Sequence, residues 1–169
     1  QKLTLSNGET ISARLVVLAN GLSVGLRRNL GIERQILSAG HSISIGFDMV
    51  PVGRPAFEFP ALTYFSEQAS ERVAYVTLFP IGNRMRANLF VYREVDDPWL
   101  RQMRKNPVET MNTALPRLRH ITGEYGVAGD VKIRPADIYV STGHRQAGIV
   151  LVGDAFAATC PVTGTGTDK

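Results

Sequence analysis

Cysteine, histidine and long apolar runs are all scarce in this sequence. The single cysteine, Cys160, cannot form an internal disulfide, so a reducing compartment such as the cytoplasm is expected. The three histidines are widely dispersed, which gives no support for a metal site. No apolar run approaches the roughly 18 residues needed to cross a bilayer, and the first residues lack the pattern of a signal peptide. We therefore expect a soluble, cytoplasmic protein without a bound metal.

Concentrated charge of one sign is also missing. Nineteen basic and fifteen acidic residues give a net charge of +4, and the basic residues are scattered along the chain. Nucleic-acid binders usually cluster Lys and Arg on one face, so we expect no nucleic-acid partner. An apolar fraction of 44% with 20% charged residues describes a globular rather than a disordered chain. The expected partner is a small molecule, and the oligomeric state stays open.

Short strands are predicted near the N-terminus. Residues 2–5 alternate polar and apolar, Asn7-Gly8 is a hairpin signal, and 11–18 is predicted to be the return strand. The apolar run 15–19 is typical of a parallel strand that is buried on both faces.

The middle of the chain alternates apolar and polar residues with a period of two. Three stretches, 43–49, 73–79 and 85–93, are predicted to pair as antiparallel strands, the last two through a hairpin turn at Gly82-Asn83. The proline-dotted stretch 51–60 is predicted to be a loop or a sheet edge.

One helix is predicted after this sheet. The segment from Asn106 has a capping-box-like start with Pro107 at the first helical position, and Pro116 should kink or split the helix. Strands are predicted to resume at 131–140 and 149–152, which gives an α+β fold.

The segment with the most chemical information follows the last of these strands. Asp154 stands at the carboxyl end of an apolar strand, where open α/β sheets bind ligands. Its carboxylate only accepts hydrogen bonds, which suits a polyol such as a ribityl chain. Glycines after Pro161 lack Cβ atoms, so backbone N–H groups there can approach a flat ring. The alternative is that Asp154 is an ordinary helix cap.

This segment resembles the G-D fingerprint of FAD-dependent monooxygenases of the p-hydroxybenzoate hydroxylase type. The shared pattern is G-D, a proline seven positions after the aspartate, and then G-x-G. In that family the aspartate binds the ribityl chain and the glycine loop lines the isoalloxazine ring. Phe156 stands where that family commonly has histidine. The resemblance implies FAD contacts at Gly153, Asp154, Pro161, Gly164 and Gly166.

A second stretch, residues 15–32, resembles the D-G-x-x-S-x-x-R fingerprint of the same family. In that family this fingerprint is associated with the binding of FAD and NAD(P)H. Asn20 stands where aspartate is usual and Val24 where serine is usual, while Gly21 and Arg27 keep their places. The resemblance implies cofactor contacts at Asn20, Gly21 and Arg27, the last balancing a phosphate. The alternative for Arg27 is a solvated side chain on a short helix predicted at 22–30.

The resemblance also implies a domain organisation. Residues 1–38 would be part of an FAD-binding domain, 39–140 a β-rich substrate domain, and 141–169 a truncated continuation of the FAD-binding domain. The G-x-G-x-x-G that binds the FAD pyrophosphate in that family is absent from this sequence. The chain is therefore expected to be an internal fragment, and to bind FAD weakly or not at all by itself.

The function implied by the resemblance is oxygen insertion. In that family NAD(P)H reduces FAD, and one atom of molecular oxygen is transferred to a substrate, here expected to be aromatic or lipophilic. The alternatives within flavoproteins are a reductase or a halogenase, and a non-enzymatic binding module also stays open.

A serine hydrolase is the alternative from another class. Gly21 to Gly25 match G-x-S-x-G between a predicted strand and a predicted helix, so Ser23 could be a nucleophile with Asp130 or Asp137 and His144. Only about twenty residues precede Ser23, too few for the strands and oxyanion loop of that fold.

Overall fold

The structure, a computed structural model, describes residues 1–165. The chain divides into two compact units, one formed by Gln1–Ala39 with Asp137–Lys169 and the other by Gly40–Ala136. Helices and mostly antiparallel strands confirm the predicted α+β class. The assignment of these units to an FAD-binding domain and a substrate domain stays a prediction.

The first unit begins with the expected hairpin. Strands β1 (Lys2–Thr4) and β2 (Thr10–Ser12) pair antiparallel. Gly8 turns the chain with a φ of +88°, a value that glycine adopts without steric cost. The predicted return strand is divided, because β2 ends at Ser12 and a separate strand β3 covers Val16–Leu18.

Strand β3 belongs to a small parallel sheet. It pairs in parallel with Ile149–Leu151, the ninth strand along the chain (β9), as the apolar runs indicated. The predicted burial on both faces is wrong, because Leu18 is 5% exposed and Val17 is 53% exposed. Helix α1 (Gly25–Asn29) follows β3 and begins later than predicted, since 20–24 form a turn.

The strands of the second unit's sheet are, in spatial order, Tyr125–Thr142 (β8), Glu33–Pro51 (β4), Arg84–Val91 (β7), Val73–Ile81 (β6) and Leu62–Phe65 (β5). The tenth strand, β10 (Ala157–Ala158), pairs with the C-terminal end of β8. One boundary between the two units falls within β4, after Ala39, and the other falls within β8, after Ala136.

The register confirms the predicted antiparallel strands. In the β4–β7 pair, Ile43 lies opposite Val91 and Met49 lies opposite Met85. Strands β6 and β7 form the predicted hairpin, which Gly82 turns with a φ of +61°. The proline-dotted segment after β4 is largely irregular, as expected.

Three helices follow β7: α2 (Pro98–Lys105), α3 (Pro107–Ala114) and α4 (Leu118–Thr122). Pro116 separates the last two, as predicted, but the side chain of Asn106 makes no capping bond. Within the described part of the chain, no helix is long and apolar enough to span a membrane.

The core of the second unit lies on one face of its sheet. Alternate residues of β4 are almost completely buried there, helices α2 and α3 contribute Met103 and Met111 to the same cluster, and Leu115 joins it directly after α3. The buried residues of β4 in this cluster are Ile43, Ile45, Phe47 and Met49. The residues between them point to the opposite face of the sheet.

Tyr125 in this core generates a test of stability. Its side chain is 5% exposed, and no described residue bonds its buried hydroxyl. Burial raises the pKa of Tyr125 from 10.0 to about 12, partly offset by Arg119. The folded state therefore disfavours the phenolate, and the associated stability, full below pH 10, should be lost as the pH rises towards 12.

We expect Tyr125→Phe to increase the free energy of unfolding at pH 7 by about 1 kcal/mol, because it removes an unpaired buried hydroxyl. The variant should also lose less stability than the parent between pH 10 and 11. Urea denaturation at pH 7, 10 and 11 measures both effects. A loss of stability at pH 7 would show that the hydroxyl makes a stabilising contact.

Candidate functional site

The candidate site lies in the first unit and centres on the side chain of Arg27. Helix α1 carries this residue, whose side chain is only 2% exposed. Its Nε and Nη2 atoms both donate to the carbonyl oxygen of Ser23, at 3.0 and 2.7 Å. The guanidinium therefore folds back and closes the turn between β3 and α1.

The same guanidinium reaches the turn that follows β9. Its Nη1 atom donates to the carbonyl oxygens of Ala155 at 2.7 Å and Asp154 at 3.3 Å, and lies 3.5 Å from Oγ of Ser141. One side chain thus joins the two fingerprint segments, which are more than a hundred residues apart in sequence.

The burial of Arg27 shows that the solvated alternative is wrong. Of the residues that the structure describes, none forms an ion pair with it. The positive charge is instead compensated by carbonyl dipoles, which a buried cation requires. A contact between Arg27 and a cofactor phosphate stays a prediction.

Asp154 occupies a firmly held turn. It lies in the short 3₁₀ helix Gly153–Ala155 directly after β9, and Gly153 has a φ of +59° that favours glycine. Oη of Tyr139 donates to the carbonyl oxygen of Asp154 at 2.5 Å, and Oγ of Ser141 donates to that of Ala155 at 2.8 Å. Val152, not Asp154, occupies the N-cap position of this short helix.

The loop after Cys160 contains the remaining G-D residues. Pro161–Thr163 form a 3₁₀ turn, in which Oγ1 of Thr163 donates to the carbonyl oxygen of Cys160 at 2.8 Å. Gly164 follows with a φ of +69°, and a Cβ atom there would meet no atom of residues 1–165 within 4 Å. The backbone is therefore open to close approach at this point. Gly166 lies outside the described residues.

Asn20 and Gly21 form the turn after β3. Nδ2 of Asn20 donates to the carbonyl oxygen of Ser23 at 3.2 Å, and Gly21 has a φ of +57°. Oδ1 of Asn20 is buried, and no donor among residues 1–165 reaches it. This acceptor fits a site that takes up a ligand, although cofactor contacts at both residues stay predictions.

The geometry gives no support to the hydrolase alternative. A nucleophile elbow requires a strained turn, but Arg72 is the one non-glycine residue of the described chain with a positive φ. Nδ1 of His144 contacts the carbonyl oxygen of Ser141 at 2.6 Å, and its ring packs edge-on against Phe156. Asp130 belongs to the second unit and pairs with Lys132.

Tyr139 and Ser141 were not found by sequence reasoning. They lie two residues apart on β8 and are both buried. Tyr139 also packs under the guanidinium of Arg34, 4.3 Å from the ring centre. The pattern that could have identified them is the alternation of Tyr139 and Ser141 with the apolar residues Ile138 and Val140 along the predicted strand. Such a pattern indicates a buried polar face that needs partners.

Arg27 and its neighbour Arg28 provide a matched pair for testing this network. Arg27→Met should reduce the free energy of unfolding of the first unit by about 3 kcal/mol, because several buried carbonyl groups lose their donors. Arg28→Met changes an exposed residue of the same helix and should cost less than about 0.5 kcal/mol.

Thermal unfolding measures the loss of stability in each variant. Amide hydrogen exchange at residues 153–156 measures whether the turn after β9 opens. Equal effects of the two substitutions would contradict the role of Arg27 in holding both turns.

Comparison with known proteins identifies this fold. The flavin-dependent brominase Bmp2 aligns with a TM-score of 0.67 and 19% identity, covering 95% of this chain and 40% of its own. Aklavinone-11 hydroxylase, solved with FAD and aklavinone, has a TM-score of 0.66 and 19% identity, covering 99% and 30%. The p-nitrophenol 4-monooxygenase PnpA from Pseudomonas putida has a TM-score of 0.59 and 14% identity, covering 98% and 40%.

This chain thus spans 30 to 40% of the length of these structures, and at such identities they establish the fold alone. No curated protein sequence matches it significantly. The model of the family described as "FAD binding domain" matches residues 2–168. This match confirms the resemblance that was inferred from the two fingerprints. The chain belongs to the FAD binding domain family.

Proposed function

We propose that the chain is part of an FAD-dependent monooxygenase, which uses NAD(P)H and molecular oxygen to insert one oxygen atom into an aromatic or lipophilic substrate. The second oxygen atom leaves as water, and the nicotinamide is oxidised. The observation that carries the proposal is the placement of Asp154 at the carboxyl end of a parallel strand, on a turn anchored by Arg27 and Tyr139.

The residues of the first unit fit the flavin. Asp154 would accept hydrogen bonds from ribityl hydroxyls, and Gly164, Gly166 and Pro161 would line the ring, with Gly153 setting the turn. Gly21 and the unpartnered Oδ1 of Asn20 would belong to the same cofactor site. When bound, FAD supplies the redox chemistry and the activation of oxygen.

The contribution of this chain is to hold these groups in place before the cofactor arrives. The carbonyl groups of Asp154 and Ala155 are bonded to Arg27, Tyr139 and Ser141, so the direction of the backbone at Asp154 is determined by the protein. A site that is ordered in advance loses less conformational entropy on binding, which favours affinity.

Halogenation is the second candidate, because the brominase Bmp2 is as similar in fold as the hydroxylases. The two reactions differ in their need for halide. We expect the intact protein, with FAD, NADPH, oxygen and an aromatic substrate, to form a hydroxylated product without bromide. Mass spectrometry with and without bromide distinguishes the two. A product that forms only with bromide and contains bromine would establish halogenation instead.

Asp154→Ala tests the flavin site itself. Hydrogen bonds to a charged acceptor contribute roughly 1.5 to 3 kcal/mol, so the substitution should weaken FAD binding by about tenfold to a hundredfold. The melting temperature should hardly change, because the carbonyl group that anchors the turn is retained.

FAD affinity and melting temperature should be measured on the same intact variant. Asp130→Ala, at an exposed position of the second unit, is the control and should leave FAD affinity unchanged. Unchanged affinity in Asp154→Ala would remove the main support for the flavin assignment.

A further inference from the structure

A second arginine of the first unit, Arg34, is connected to both of the turns that Arg27 joins. Arg34 is the second residue of β4, and its side chain is half-buried. Its Nη2 atom donates to the carbonyl oxygen of Leu22 at 2.5 Å, within the turn that follows β3. This bond fixes the end of the side chain beside the first fingerprint segment.

The guanidinium of Arg34 lies over the ring of Tyr139, with its central carbon 4.3 Å from the ring centre. Tyr139 is 3% exposed, and its Oη donates to the carbonyl oxygen of Asp154 at 2.5 Å. A series of contacts therefore leads from Leu22 through Arg34 and Tyr139 to Asp154. All four residues belong to the first unit.

This series of contacts is separate from the bonds of Arg27. Nη1 of Arg27 lies 2.7 Å from the carbonyl oxygen of Ala155 and 3.3 Å from that of Asp154. The hydroxyl of Tyr139 makes the shorter bond to Asp154, at 2.5 Å. The carbonyl group of the residue that we propose binds the ribityl chain thus depends on Tyr139 more than on Arg27.

Stability of packing alone does not account for an arginine at position 34. The Nε atom of Arg34 is buried, and no acceptor among residues 1–165 reaches it. Within the same residues, no carboxylate forms an ion pair with Arg34. An unpaired buried donor and a partly desolvated cation both cost free energy, which an uncharged side chain would avoid. The contact that compensates the charge is the face of the Tyr139 ring, to which a cation is attracted.

The orientation of the Tyr139 ring decides where its hydroxyl points. Two side-chain torsions set this orientation, and the atoms that pack against the ring select among their values. The guanidinium of Arg34 occupies one face of the ring. Its removal would leave space on that side and allow Oη to move away from the carbonyl group of Asp154. The 3₁₀ helix that contains Asp154 has only three residues, so the loss of this bond should release its backbone.

We propose that Arg34 is a positioning residue of the flavin site. Its charge holds the ring of Tyr139, and the hydroxyl of Tyr139 in turn holds Asp154 in the conformation that binds the ribityl chain. The proposal rests on the proposed function and adds to it a residue that lies outside both fingerprints. Arg34 needs no contact with the flavin for this role.

Arg34→Met and Arg34→Lys form a matched pair for the test in the intact protein. Both new side chains are unbranched and long, and only lysine retains a charge that is attracted to the ring. Arg34→Met should weaken FAD affinity about fivefold, which equals about 1 kcal/mol at 1.4 kcal/mol per decade and is the size of one such contact. Arg34→Lys should stay within about twofold of the parent. A role in packing alone predicts equal affinities for the two variants.

A double-mutant cycle with Tyr139→Phe tests whether Arg34 acts through the hydroxyl of Tyr139. Tyr139→Phe retains the ring, removes only the donor to Asp154, and should weaken FAD affinity at least as much as Arg34→Met. In the background of Tyr139→Phe, Arg34→Met should change the affinity by less than about twofold, because the hydroxyl that it positions is already absent. Two residues that act independently would instead have effects that multiply.

A measurement without flavin tests the turn directly. Amide hydrogen exchange at residues 153–156 of the flavin-free protein should be faster in Arg34→Met than in the parent, and close to the parent in Arg34→Lys. Arg14→Met removes an equal charge from an exposed position of the first unit, and should change neither the exchange nor the FAD affinity. Arg34→Gln, which is also uncharged, replaces Arg34→Met if the melting temperature shows that the latter does not fold.

Three results would overturn the proposal. They are equal FAD affinities of Arg34→Met and the parent, effects that multiply in the cycle, and unchanged exchange at residues 153–156 in Arg34→Met. If any of these occurs while Asp154→Ala still weakens FAD binding, only the role of Arg34 fails. If Asp154→Ala leaves FAD affinity unchanged, the flavin assignment fails and the proposal fails with it.

Discussion

The buried guanidinium of Arg27 is the interaction on which the candidate flavin site depends. The hydrophobic core of the first unit is small, with only Leu18, Ile32, Leu151 and Ala155 buried in its described cluster. Such a core cannot determine the conformation of two polar turns. Arg27 does so, because it donates to carbonyl groups in both, and a buried cation tolerates no arrangement that leaves its donors unpaired.

This arrangement holds the backbone of the turn after β9, which carries the carboxylate that we propose binds the flavin. The carbonyl groups of Asp154 and Ala155 accept hydrogen bonds from Arg27, Tyr139 and Ser141, which hold the main chain of the turn. In the proposed function, the main chain of Asp154 has a structural role and its side chain has the binding role. At Gly164 the positive φ disfavours most side chains, and no atom of the described residues lies within 4 Å of the position that a Cβ would take.

The sequence predicted the features that arise from local patterns. Period-two alternation located β6 and β7, and the resemblance of the G-D segment pointed to Asp154. Contacts between distant segments were not predictable in this way. The bonds from Arg27 to Ser141 and Ala155 join residues 114 and 128 positions apart, and hydrophobicity alone wrongly predicted burial of Val17. The apolar character of a side chain indicates that its burial is favourable, but it does not indicate which other residues will cover it.

Glycines illustrate the same limit of prediction from sequence. A glycine that its backbone conformation requires and a glycine that it does not require look alike in a sequence. Gly153 and Gly164 have positive φ values, so their backbone conformation accounts for them whether or not a ligand binds. Gly46 lies in an ordinary extended strand with room for a methyl group, and neither conformation nor packing accounts for it. Only the structure separates the two, because the distinction depends on φ and on the neighbours of an absent Cβ. For this reason a glycine in the sequence does not by itself indicate a ligand site, and the positive φ of Gly153 and Gly164 is expected with or without a bound cofactor.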